Sequence, residues 1–226
     1  MAPPAVVVLE GNIGAGKSTL LLELGERCAD LVAAGALTLV PEPVEEWCAD
    51  AEKEGPSALA AYLEDPARHS AAFQVEVIAS KARHYRRVVG VAAGARHPAV
   101  VVVERGFDCE VFLRLLELEG VLSWLEARAL RSLQALLAES GAVPRPDLTV
   151  YLRVPPETCV ERTRLRAREG ESAASMDARI HRLHDLHDRL FGDAPGHAVL
   201  RGGEGARASD LAAELEARVR ELCAQR

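Results

Sequence analysis

The chain has 226 residues, 49% hydrophobic and 27% charged, enough apolar material to bury a sizeable core as one domain spanning residues 1–226. Its formal net charge of -7 and pI near 5.6 argue against a general binder of nucleic-acid polymers or membrane surfaces, which carries a basic excess, so an anionic ligand must be met by local positive charge. Cys28, Cys48, Cys109, Cys159 and Cys223 form no CxxC pair, no apolar run reaches the roughly 18 residues of a membrane span, and Met1-Ala2-Pro3-Pro4 leads straight into apolar sequence; reduced thiols and a cytoplasmic or nuclear location are expected.

The first strand is read over Val6-Val7-Val8-Leu9 and turns through Gly11-Asn12-Ile13-Gly14-Ala15-Gly16-Lys17-Ser18-Thr19 into a helix. Gly11, four intervening residues and Gly16-Lys17-Ser18 fit a phosphate-binding loop (P-loop). Its backbone N–H groups and helix N-terminus cradle a nucleotide's phosphates, with the lysine on the β- and γ-phosphates and the hydroxyl on Mg²⁺. An ordinary Gly-rich turn needs neither lysine nor hydroxyl at that place. By itself the loop says nucleoside triphosphate and no more.

Further along, Leu20 to Ala33 reads as one amphipathic helix, and Ala36 to Val40 as a short strand ending at Pro41-Glu42-Pro43. Asp50 to Ser57 is polar and punctuated by Gly and Pro. Asp65-Pro66 opens a long Ala-rich helix to about Val91, with Gln74, Val77 and Lys81 on one face. The β-branched run Ala99 to Val103, of the kind buried on both faces, ends in Glu104-Arg105. Helices are predicted over Cys109 to Glu119 and Leu122 to Ser140, a strand over Leu148 to Leu152, and a helix from Pro155-Pro156-Glu157. A helix over Ala174 to Phe191, a strand over His197 to Leu200 and a helix over Ser209 to Cys223 complete the chain. Five strands alternating with helices imply an α/β fold with a parallel sheet, whose ligand edge collects Gly11, Glu42, Glu104 and Arg153.

Phosphoryl transfer needs positioning, a metal, cations on the moving charge and a base. Ser18 with Glu104 is the candidate Mg²⁺ pair, and Glu42 the group to take a proton from an acceptor hydroxyl; either glutamate is otherwise a solvated strand-end residue. Arg162, Arg164, Arg166 and Arg168 form two i, i+4 pairs on one helix, read either as a lid over ATP phosphates (about 162–172) or as a solvated arginine face. His181, His184, Asp185, His187 and Asp188 resemble a metal cluster in composition, but an ordinary polar helix face is the favoured reading.

Taken as a set, the P-loop, Glu42-Pro43-Val44-Glu45-Glu46-Trp47, Phe73-Gln74, Glu104-Arg105, Tyr151-Leu152-Arg153, Glu161 to Arg168 and Leu183-His184-Asp185-Leu186-His187-Asp188 resemble the cellular-type deoxynucleoside kinases and related viral thymidine kinases. The resemblance runs from about Ala5 to Gly192. It implies a homodimer of P-loop kinase domains with five-stranded parallel sheets, transferring the γ-phosphate of a nucleoside triphosphate to a deoxynucleoside's 5′-hydroxyl. It also implies Glu42 as general base, Arg105 on the transferring phosphate, Glu171 on the 3′-hydroxyl, Gln74 reading the base, Trp47 and Phe73 against it, and Arg162 and Arg166 about the adenine.

This sequence departs from the family in places: Gly106 stands for a serine, Gly170 for a glutamate, and Leu63, with Tyr62 one place off, for a tyrosine; an aromatic stacking position falls on Arg114, with Phe112 nearby. Lys81 and Glu110 occupy positions where deoxycytidine-type members carry an arginine–aspartate pair. That favours cytosine or purine, while a surface ion pair, with thymidine or broad acceptance, would look the same. A GTPase is excluded because Asn12 is the chain's single asparagine. A nucleoside monophosphate kinase and a silent nucleotide-binding module are the remaining rivals.

Overall fold

In the computed structural model, residues 3–49, 55–89, 98–143, 145–166, 173–193 and 195–226 are described. The strand β1 (Ala5–Gly11) feeds the P-loop, and α1 (Lys17–Arg27) begins at the lysine itself, because Gly16 at φ 95° supplies the left-handed turn into it. The predicted helix to Ala33 breaks at Cys28 (φ -103°, ψ 26°), and α2 (Ala29–Ala33) follows as a separate turn. After β2 (Leu37–Val40) come two short helices on either side of the Gly/Pro-punctuated stretch, α3 (Val44–Cys48) and α4 (Ala58–Glu64), for which the sequence offers no reading; the Ser57 hydroxyl caps α4 by accepting from the Ala60 N–H. The long helix is α5 (Pro66–Val89), followed by β3 (Val100–Glu104), α6 (Glu110–Leu118) and α7 (Trp124–Glu139). Then come β4 (Leu148–Arg153), α8 (Pro156–Arg166) and α9 (Ala173–His187), which widens into a π-helical turn, Asp188–Gly192, before β5 (His197–Arg201) and α10 (Ala208–Ala224).

All five strands are parallel, in the order β2-β3-β1-β4-β5. The two-residue period of β1 divides the core. Val7 and Leu9 face a layer containing Leu24 of α1 and Leu215 and Val219 of α10, while Val6 and Val8 face Ile78 of α5, Leu113 of α6 and Leu130 of α7. Each fully buried Leu or Ile contributes on the order of 1.5–3 kcal/mol of transfer free energy, which fixes β1 between helix layers and so fixes the loop at its end. The π-helical turn coincides with a clamp: the Asp188 carboxylate accepts from Tyr151 Oη at 2.8 Å and pairs with Arg153 Nη2 at 2.7 Å. Among the described residues, no helix is long and apolar enough to cross a membrane.

Candidate active site

A cleft of ≈ 810 Å³ opens at the carboxyl edge of the sheet, with the P-loop at one end and the side chains of α5 at the other. A smaller groove of ≈ 540 Å³ lies between α8 and α9, where Glu157, Glu161 and Asp177 stand beside Arg164 and His181 and no P-loop residue lines it. The cleft is therefore the candidate site.

The P-loop is held from both sides. Gly14 (φ 75°) lies so close to α8 that a Cβ there would stand 2.5 Å from the Cys159 carbonyl oxygen. Asn12 donates from Nδ2 to the Ile180 carbonyl of α9 at 2.9 Å and accepts from the Ile13 N–H at 2.8 Å. Lys17 Nζ donates to the Gly11 and Asn12 carbonyls at 3.1 and 3.0 Å. Burial, then the charge of Arg105, draws the Lys17 ammonium down to about 8 against the pull of Glu42 and Glu104. Ser18 Oγ donates to Glu104 Oε1 at 2.7 Å, so the hydroxyl and carboxylate read as a metal pair converge. Ile13, Gly14, Gly16 and Thr19 also line the cleft.

Glu42, two residues past β2, meets Arg105 just past β3: Arg105 Nε is 2.9 Å from Glu42 Oε1. Arg105 carries φ 65°, an uncommon backbone for a side chain of this size, with its N–H donating to the Leu9 carbonyl at 2.9 Å and its guanidinium 4.6 Å above the Phe112 ring. Burial opposes the Glu42 charge, but Arg105, then Lys81 and Lys17, hold its carboxyl below the ordinary glutamate value. Glu42 is thus ionised at neutral pH and able to receive a proton.

At the far end, Gln74 is 4% exposed and its Oε1 has no hydrogen-bond partner among the described residues, an orphan acceptor on a side chain that lines the cleft. Trp47 Nε1 donates to Ser80 Oγ at 2.8 Å, and its ring meets Phe73 edge-on at 5.9 Å. Tyr62 stacks on Phe73 at 4.7 Å with the rings 9° from parallel, covering one Phe73 face.

Lys81 and Glu110 do not pair. Lys81, 3% exposed, donates to the Gly106 carbonyl at 3.0 Å and lies 3.5 Å from Glu42 Oε1 and 3.6 Å from Cys109 Sγ. Glu110 faces the other way, to Arg114 Nε at 2.6 Å and Arg131 Nε at 2.9 Å. The reason is local: Cys109 turns the chain at φ 49° into α6, and Arg131 of α7 supplies Glu110 with a second guanidinium. Arg114 consequently lies outside the cleft, and Phe112 lines it instead.

Of the four arginines, Arg162 and Arg166 line the cleft, Arg162 donating from Nη1 to the Ala15 carbonyl at 3.0 Å. Arg164 points to the outer groove and pairs with Asp177 of α9. Arg168 and Glu171 lie outside the described residues. Of the histidine run, His181 lines the outer groove, His184 Nε2 is 3.5 Å from Asp188, and His187 is fully buried, so the run does not face one point. Among the cleft residues that had no sequence signal are Met176 and Arg179 of α9. Arg179 pairs with Glu119 at 2.7 Å and lies against Tyr62, 5.7 Å from its ring centre. One arginine among many in an arginine-biased chain carries no pattern by which to single it out.

Residues 7–195 match the deoxynucleoside kinase family. The chain is 30% identical over 193 residues to the thymidine kinase of Ictalurid herpesvirus 1 (strain Auburn), spanning 84% of this chain and 75% of that protein. It is 28% identical over 198 residues to the deoxycytidine kinase of Homo sapiens (80% and 73%), and equally to deoxycytidine kinase 2 of Gallus gallus (80% and 72%).

Proposed function

The chain belongs to the deoxynucleoside kinase family, and on that premise we propose that this cleft transfers the γ-phosphoryl group of ATP to a deoxynucleoside's 5′-hydroxyl with Glu42 as the general base. The observation that carries this is the Glu42–Arg105 contact at 2.9 Å within the P-loop cleft, a base and a cation held together where hydroxyl and phosphate must meet. The bond between γ-phosphorus and the ADP oxygen breaks, a bond from phosphorus to the 5′-oxygen forms, and the hydroxyl proton passes to Glu42. Lys17 exchanges its two loop carbonyls for phosphate oxygens, and Arg105 offsets charge on the moving phosphoryl group. Ser18 and Glu104 offer the hard oxygen donors that suit Mg²⁺ and would hold it, and the ion would supply positive charge to neutralise the phosphates. Arg162 and Arg166 would close on the donor.

The base is assigned to Gln74, with Trp47, Phe73 and Tyr62 as its walls. A primary amide turns over to match either thymine or cytosine, and neither Lys81 nor Glu110 adds a reader, since each is engaged elsewhere. The acceptor site is therefore broad for pyrimidines, with thymidine and deoxycytidine used within about tenfold of each other, because a polar site rejects strongly only a ligand that leaves its groups unpaired. We infer further that two copies pair through the α5–α7 side, where Val75, Trp124, Leu125 and Leu136 are exposed and Leu125 and Leu136, eleven residues apart, share a face. Light scattering on the purified chain tests this pairing.

The function is tested by initial rates with ATP and Mg²⁺ on the four deoxynucleosides, with thymidine monophosphate as a fifth acceptor. Phosphorylation of thymidine and deoxycytidine at comparable kcat/KM is expected. Transfer only to the monophosphate would overturn the role of Glu42, and a preference above a hundredfold for one pyrimidine would overturn the reading of the base end.

A further inference from the structure

Behind Arg105 lies a buried polar cluster in which neither Glu10 nor His187 lines the cleft. Glu10 of β1 accepts from the Gly106 N–H through Oε1 at 2.5 Å. Its other oxygen, Oε2, stands 4.0 Å from Arg105 Nη1 and also 4.0 Å from His187 Nε2. Both of those nitrogens are buried, and neither has a hydrogen-bond partner among the described residues. Two orphaned atoms facing one carboxylate oxygen in a protein interior need a common explanation, since each unsatisfied group costs on the order of 1–3 kcal/mol.

Their chemistry is complementary. His187 Nδ1 is 2.7 Å from the Leu183 carbonyl, which can only accept, so the ring proton is on Nδ1 and Nε2 is a bare acceptor. Burial, then Arg105, pushes the imidazole down to about 3, so it is neutral under working conditions. The spot is thus bounded by one donor, Arg105 Nη1–H, and two acceptors, Glu10 Oε2 and His187 Nε2. A separation of 4.0 Å is too long for a direct hydrogen bond and suits a single oxygen about 2.8 Å from each atom. Water, accepting one hydrogen bond and donating two, matches that set.

We propose that Glu10 and His187 hold one buried water against Arg105 Nη1, and that this water fixes the guanidinium for phosphoryl transfer. The positioning clause rests on the role of Arg105 given above. Glu10 and His187 are positioning residues that never touch substrate. Both are themselves fixed: the Gly106 N–H grips Glu10, and the His187 ring stacks on Tyr151 at 5.8 Å and 11°, with the neighbouring Asp188 clamped to Tyr151 and Arg153. The histidine run read from sequence as a plain polar face therefore contains one member turned inward to the chemistry. A cation bonded to Glu42 on one side and supported through water on the other keeps its direction while the phosphoryl group moves.

Two experiments decide this. A crystal structure of the wild-type chain, at a resolution where single waters are visible, should show a density peak within hydrogen-bond reach of Glu10 Oε2, Arg105 Nη1 and His187 Nε2; no peak, or a direct contact replacing it, overturns the water. Steady-state kinetics of His187→Phe, which keeps the stack on Tyr151 and removes the acceptor, should show kcat lowered about tenfold with the KM values for nucleoside and ATP little changed, the signature of a displaced catalytic group. His187→Gln, which restores an acceptor, should recover part of the loss. In an Arg105→Lys background, His187→Phe should change kcat by less than twofold. Equal losses in both backgrounds would mean that His187 acts independently of Arg105, and wild-type kcat in His187→Phe would remove its role. If Arg105→Lys alone retains full activity, the failure lies in the assignment of Arg105, and the positioning clause falls with it, while the density still decides the water.

Discussion

His187 also makes a prediction about stability in acid. Its imidazole is fully buried, and burial, reinforced by the charge of Arg105 and in lesser measure by Lys17 and His184, lowers it from 6.5 to about 3 against the opposing hydrogen bond to Leu183. Below about pH 6.5 the unfolded chain takes up a proton on this ring that the folded chain refuses until about pH 3, so stability falls as pH drops through that window. At pH 5.5 the unfolded ring is about ten-elevenths protonated, and the cost relative to pH 7.5 is about 1.4 kcal/mol. Glu10, raised by burial, works in the opposite sense, which is why the informative quantity is a difference between two proteins that share it. Urea unfolding followed by circular dichroism, for wild type and His187→Phe at pH 7.5 and 5.5, should show wild type losing about 1.4 kcal/mol more than the variant on acidification. Equal losses in the two proteins, or an imidazole proton resonance of His187 titrating between pH 6 and 7, would refute the reasoning.

Glu42→Gln should lower kcat by about 10²–10⁴ while calorimetry still finds nucleoside binding, because only the proton acceptor is lost; a kcat within tenfold of wild type would assign the base elsewhere. Lys81→Met should lower turnover on every acceptor by a similar factor, since Lys81 lies against Glu42 and Gly106; a tenfold change in the thymidine-to-deoxycytidine ratio would make it a reader of the base. Gln74→Ala should reduce kcat/KM for both pyrimidines by about 10–100-fold, the worth of a buried polar group that has lost its partner, and an unchanged value would move base recognition away from α5. Chelation of divalent cations should abolish transfer, and Glu104→Gln should raise the Mg²⁺ concentration required for half-maximal rate; activity surviving chelation would exclude the Ser18–Glu104 pair as a metal site.

What was legible in the sequence follows the range of the forces involved. β1, β3 and the P-loop are set by runs of adjacent β-branched residues and by glycines whose conformations are local, and those elements lie where the pattern puts them. The edge position of Glu42, Glu104 and Arg105 follows from strand ends in a parallel sheet. The break at Cys28 and the short helices α3 and α4 carry too few residues for a period to be read, and the π-helical turn at Asp188 accompanies a clamp from Arg153, 35 residues away. Lys81 and Glu110 failed as a pair for the same reason. The family resemblance places both near the base end, but which partner each takes is decided by Arg131 from α7 and by Glu42 just past the end of β2, neither adjacent in sequence.

The electrostatics of the cleft connect these observations. A chain of net charge -7 gathers Lys17, Lys81, Arg105, Arg162, Arg166 and Arg179 along one cavity. The first three are almost entirely buried, where an uncompensated charge costs several kcal/mol. Glu42 offsets Arg105 and Lys81 directly, whereas among the described residues Lys17 has two neutral carbonyls within hydrogen-bond distance, and burial and then Arg105 lower it. An arriving triphosphate supplies what the loop carbonyls do not, a full negative charge. Binding should therefore raise the Lys17 pKa toward its ordinary value and draw a fraction of a proton from solvent near pH 8, a fraction that shrinks as pH falls below 7 and the ammonium is already charged. Calorimetric titration with a non-hydrolysable ATP analogue in two buffers of different ionisation enthalpy measures that uptake, and Lys17→Met, which has no proton to gain at this site, should abolish it.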